Sequence, residues 1–72
     1  MVNTELLEEA IKESGKKKGY LAKRCNLSRA GFRNCCINKA EFKGNHVNIL
    51  CEELNITGIK RRLAIFYAQI GS

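Results

Sequence analysis

Apolar residues recur along this chain at spacings of three and four, the period of helices that bury one face. The first helix opens at Asn3 or Thr4, either of which can cap it, and its early glutamates favour the positive end of the helix dipole. Leu7, Ala10, Ile11 and Ser14 share one face, and Gly15 ends the helix. A second helix spans about Lys17 to Cys25 and buries Leu21, Ala22 and Cys25. Gly19 near its start weakens it by roughly 1 kcal/mol against alanine if it is interior. Asn26 stands at a sharp turn, where asparagine tolerates the left-handed conformation better than most residues.

Leu27 points inward, and Ser28 caps a third helix of about Arg29 to Ile37. Asn38 closes that helix, and a loop from Lys39 to Gly44 carries Phe42 as an apolar anchor. The fourth helix covers about Asn45 to Leu54 with Val47, Leu50, Cys51 and Leu54 on one stripe; Asn55 stops it and Ile56 packs inward. Thr57 is the expected cap of a fifth helix, about Gly58 to Gln69, whose stripe reads Ile59, Leu63, Phe66 and Ile70. With no proline and only scattered β-branched residues, nothing reads as strands. The expectation is one all-α domain over residues 1–72, built of five short helices. A chain of 72 residues buries a low fraction of its surface, so stability is modest and a deep enzyme pocket is out of reach.

Charge sharpens this picture. The net charge is +6, and it is concentrated: residues 16–43 hold nine lysines and arginines against Glu41 alone, whereas residues 1–15 hold one lysine against four glutamates. A basic middle with acidic or neutral ends is the footprint of a localised polyanion-binding face, the plainer alternative being a solvated surface that serves solubility. No apolar run approaches the roughly 20 residues that span a bilayer, and the acidic start lacks a signal-peptide pattern. A cytoplasmic protein with no membrane contact is expected, with Cys25, Cys35, Cys36 and Cys51 as reduced thiols.

Those cysteines lack the pairs separated by about two to four residues that zinc sites use, and His46 is the single histidine. They read as small buried apolar residues, although Cys35 or Cys36 could be exposed and oxidisable. No nucleophile has a paired base and no glycine loop cradles phosphate. The chain reads as a non-enzyme that needs neither metal nor cofactor.

The informative stretch is Leu21-Ala22, Asn26-Leu27-Ser28 and Phe32, within residues 17–37. A helix-turn-helix requires a short turn, a small residue where the helices cross and an apolar anchor on each. Ala22 is the small residue, and Leu21, Leu27 and Phe32 are the anchors. With Gly-Tyr-Leu-Ala-Lys-Arg at 19–24, Asn-Leu-Ser-Arg at 26–29 and Asn-Lys-Ala-Glu-Phe-Lys at 38–43, residues 3–56 resemble the Cro/CI-type (XRE-like) helix-turn-helix family. Among its small phage regulators, the length is similar to that of the modulator-of-repression type of lactococcal temperate phages.

The resemblance implies a lambda-repressor-like DNA-binding domain that controls transcription in a lysis–lysogeny switch. Carried over by position, Ser28, Arg29, Ala30, Arg33 and Asn34 face the major groove of duplex operator DNA. The chemistry agrees, since arginine can bond a guanine edge bidentately and asparagine an adenine edge. Lys17, Lys18, Lys39 and Lys43 suit phosphates, which fix register without reading sequence.

Three features depart from the family pattern. Glutamine is missing from the starts of the second and third helices, Gly31 lies inside the recognition helix, and Cys35-Cys36 replaces a charged and a larger apolar residue. They leave open a second use of the same face: an antirepressor docking on a phage CI-type repressor, with Gly31 admitting a partner's backbone. Ile65 and Tyr67 are apolar off the fifth-helix stripe, which suggests a homodimer through the C-terminal helix. Its recognition helices would then meet half-sites roughly 34 Å apart.

Overall fold

A computed structural model describes residues 1–68. Among them are five helices and no strands: α1 (Thr4–Ser14), α2 (Lys18–Arg24), α3 (Arg29–Cys36), α4 (Gly44–Glu53) and α5 (Ile59–Phe66). α2 packs on α3 and α4, and α1 packs on α5. The all-α expectation holds, with helix ends within a residue or two of those read from caps for α1 to α4. Asn3 caps α1 by accepting from the Leu6 amide at 3.1 Å, and Gly15 ends that helix in the left-handed region at φ 71°.

α2, α3 and α4 all stop in the same way. Asn26, Asn38 and Asn55 each follow the last turn with φ between 55° and 65°. The next amide then reaches back to the helix: Leu27 N–H donates to the Ala22 carbonyl at 2.9 Å, Lys39 N–H to Asn34 at 2.8 Å, and Ile56 N–H to Cys51 at 2.9 Å. This is the Schellman arrangement, with asparagine where glycine is more usual, and it satisfies carbonyls that a helix end leaves open. The residues after two of the asparagines, Leu27 and Ile56, then turn toward the core.

Asn38 does a second job. Its Oδ1 accepts from the Val2 amide at 2.8 Å and its Nδ2 donates to the Val2 carbonyl at 3.0 Å, so one side chain pairs with both backbone groups of Val2. Asn3 N–H donates to the Ile65 carbonyl at 2.7 Å, and Ala68 N–H donates to the Met1 carbonyl at 3.0 Å. The opening residues are thereby tied to the end of α3 and to α5, and Val2 is buried.

The core joins Leu7, Ala10 and Ile11 of α1, Leu21 and Ala22 of α2, Phe32 and Cys36 of α3, and Val47, Leu50 and Cys51 of α4. Phe42 packs edge-on against Phe32, Phe66 and His46, with ring centroids 5.8, 6.1 and 6.3 Å away, and is the anchor its loop was expected to hold. His46 is buried, and its Nδ1 accepts the Lys43 backbone N–H at 3.1 Å, giving α4 its cap.

The fifth helix differs from its sequence reading. Gly58, not Thr57, is its N-cap, at φ 88°, a conformation glycine reaches without strain; Thr57 is exposed. The buried residues are Ile65 and Phe66, while Ile59 is 66% exposed and Leu63 47%. The cause is tertiary. The last turn of α5 is held to the opening segment by the Asn3–Ile65 bond and to Phe42 by Phe66, which turns Ile65 inward and leaves the first turn facing out. The helix ends at Phe66, and Gln69 and Ile70 lie outside the described residues.

The asparagine stops are separable by substitution. Asn38→Gly keeps the left-handed conformation but loses two hydrogen bonds, and should lower the urea-unfolding free energy by about 1–3 kcal/mol. Asn26→Gly, whose side chain makes no such pair, should stay within about 0.5 kcal/mol of wild type.

Candidate functional site

The α2 and α3 helices, joined through residues 25–28, form the core of the site. The Asn26 stop ends α2, Leu27 goes half-buried beneath the turn, and Ser28 at φ −69°, ψ 163° opens α3 by accepting the Gly31 amide at 3.0 Å. Gly31 has a local reason to be there: a Cβ at that position would stand 3.1 Å from Ser28 Oγ, crowding the cap. Ala22 is buried in α2.

Successive residues of a helix turn by about 100°, so α3 divides into two arcs. Phe32, Cys35 and Cys36 take the inner arc and are buried; Arg29, Ala30, Arg33 and Asn34 take the outer arc and are exposed. Neither arginine has a carboxylate partner among the described residues. Ser28 is exposed beside them.

Lys17, Lys18, Arg29 and Arg33 line one open groove of about 660 Å³ between the start of α2 and the side of α3. Phe32, Cys36 and Ile37 give it apolar walls, and Glu8 of α1 stands at its edge, 2.7 Å from Lys18 Nζ. Lys39 and Lys43 are exposed but do not line that groove; they sit on the loop beyond Asn34, whose carbonyl accepts the Lys39 and Ala40 amides. The nine candidate positions are thus all at the surface, and four of them share one concavity.

An ion cluster that local sequence patterns do not reveal borders this surface. Glu53, at the end of α4, receives Lys16 Nζ at 2.8 Å, Arg24 Nε at 2.8 Å and the Tyr20 hydroxyl at 3.1 Å, and its side chain is only 12% exposed. Lys16 also donates to the Glu53 carbonyl at 2.7 Å. The hydrogen bond from Lys16, then those from Arg24 and Tyr20, hold the carboxyl down at about 2. Of the basic block at 16–43, Lys16, Lys18 and Arg24 are therefore engaged with carboxylates. Glu53 lies 29 to 37 residues from its donors, beyond the reach of any local pattern.

Cys25, Cys35, Cys36 and Cys51 are all buried free thiols, which corrects the expectation that Cys35 or Cys36 could be exposed. Burial pushes each thiol up, Cys36 to about 12, so all stay protonated at neutral pH. Among the described residues no group of three His, Cys, Asp or Glu side chains is placed to hold a metal, and no helix is long and apolar enough to cross a membrane. Comparison with protein-family models, curated proteins and solved structures finds no match to this chain.

The Glu53 cluster sets an acid-stability signature. A carboxyl held below its ordinary value stabilises the fold fully above that value, near 4.5, and the contribution is lost as pH falls toward about 2. Urea midpoints of Glu53→Gln should lie below wild type at about pH 6, and the gap should close by about pH 2.

Proposed function

We propose that the outer face of α3 reads duplex DNA and that the chain is a transcription regulator of the helix-turn-helix kind, acting on an operator in the bacterial cytoplasm. The observation that carries this reading is the pairing pattern of the cations. Arg29 and Arg33 are exposed on one helix face without carboxylate partners among the described residues, while Lys16 and Arg24 farther along the surface are bound to Glu53. Free guanidinium groups beside Ala30 and Asn34 make a surface that can meet base edges: arginine a guanine, asparagine an adenine, alanine a thymine methyl. Lys17, Lys39 and Lys43 are exposed and unpaired among the described residues, and suit phosphates on either side; Lys18 can add to them by sharing with Glu8. The resemblance to Cro/CI-type regulators supports the same use, and a phage lysis–lysogeny switch is the setting it would imply.

A second copy could double the reading. Ile59, Leu63 and Tyr67 of α5 and its cap are exposed at intervals of four, a stripe on which a homodimer would set two α3 helices on half-sites roughly 34 Å apart.

Two observations favour a second reading, an antirepressor that covers the DNA-binding face of a phage CI-type repressor. Ile37, at the end of α3, is 45% exposed, and Glu8, paired with Lys18, stands at the edge of the basic groove. An apolar side chain and an anion fit a protein partner better than a phosphate backbone.

Gel-shift titration separates the two. Under the DNA reading the purified protein alone shifts a selected duplex, with affinity falling steeply as salt rises. Arg33→Ala should weaken that complex by about 1–3 kcal/mol and relax the preference at one base pair. Equal losses on selected and random duplex would refute base reading by Arg33. No shift alone, with loss of the repressor's own shift on addition, would establish the antirepressor instead.

A further inference from the structure

The two arginines of α3 are not equivalent. The Arg29 guanidinium lies back over α2: a Cβ added to Gly19 would stand 3.0 Å from its Nη2, 3.2 Å from Nε and 3.5 Å from Cζ. The space it fills is the space that glycine leaves empty. A side chain laid across the first turn of the neighbouring helix projects less far from α3 than one extended from it. Arg33 lies one turn later on the same face, and no glycine of α2 stands beside it.

The groove in which Arg29 lies is also strongly asymmetric in charge. Lys17, Lys18, Arg29 and Arg33 line it against the single carboxylate of Glu8, which Lys18 already holds at 2.7 Å. Like charges gathered in one concavity repel, and the apolar walls of Phe32, Cys36 and Ile37 strengthen the local field relative to open water. An anion entering the groove relieves both effects. A phosphate suits the donors present, because a guanidinium can offer it two parallel N–H groups while lysine adds a point charge.

From this geometry we infer that the groove between the first turn of α2 and α3 is a seat for one backbone phosphate, gripped by Arg29 and Lys17. Arg29 fixes the register of the complex, and Arg33 with Asn34 carries its sequence preference. The inference rests on the DNA reading above and divides the labour within it.

The test is selection from a randomised duplex library, followed by affinity measurement on the selected duplexes across a salt series. Arg29→Ala should return the wild-type consensus, weaken every duplex on the order of tenfold, and flatten the log–log salt slope by about one. Arg29→Lys should recover most of that affinity, since a point charge serves a phosphate but not a bidentate base contact. Adding inorganic phosphate at constant ionic strength should compete against wild type more than against Arg29→Ala if the seat also takes the free ion; equal competition confines it to backbone phosphate. A changed consensus in Arg29→Ala, or Arg29→Lys as weak as Arg29→Ala, would overturn the seat while leaving the DNA reading intact. If wild type binds no duplex at all, the DNA reading and this inference fall together.

Discussion

The rotation of α3 about its own axis is the constraint on which the surface depends, and the burial of Phe32 sets it. Phe32 is 1% exposed, flanked on the inner arc by Cys35 and Cys36 and met edge-on by Phe42. Removing a side chain of that size from water is worth about 1.5–3 kcal/mol, a large share of what so small a domain can muster. Once that arc is committed to the core, Arg29, Ala30, Arg33 and Asn34 have no choice but to face out. Phe42 extends the constraint by touching Phe66, so the packing that orients α3 also anchors the last turn of α5.

Electrostatics then decides which cations on the surface are free. Glu53 collects Lys16 and Arg24 together with the Tyr20 hydroxyl, and Glu8 takes Lys18. These pairs lie at the margins of the α2–α3 surface, where they link α1 and α4 to α2. The outer arc of α3 keeps its two arginines unpaired among the described residues. Such pairs on a protein surface add little to stability singly, and three donors on one carboxylate are a better case than one. Their larger consequence is spatial: they engage Lys16, Lys18 and Arg24, while Arg29 and Arg33 have no carboxylate partner among the described residues.

The short helices need firm ends, and the backbone supplies them. Three asparagines in the left-handed region close α2, α3 and α4 by one repeated pattern of returning amides. Asn38 also binds both backbone groups of Val2, so the stop that defines the end of α3 ties down the first residues of the chain. Through the Asn3–Ile65 bond the same residues reach α5. The outer face of α3, the N-terminal segment and the last helix are in this way mechanically joined.

What the sequence determined by itself was local. Helix periods, the caps at Asn3 and Ser28, the asparagine stops and the two arcs of α3 follow from residues within a turn or two of each other, where backbone sterics and side-chain reach dominate. The candidate face was legible for that reason, as was the role of Phe42. What only the tertiary structure decided were pairings across distance: Glu53 with Lys16, Tyr20 and Arg24, Asn38 with Val2, and Arg29 over Gly19. The inward side of α5 belongs with these. Its apolar residues allow more than one stripe, and the choice of Ile65 and Phe66 over Ile59 and Leu63 goes with the partners of the last turn, Asn3 for Ile65 and Phe42 for Phe66. Periodicity can say that a helix has a buried face; the surface it packs against says which face that is.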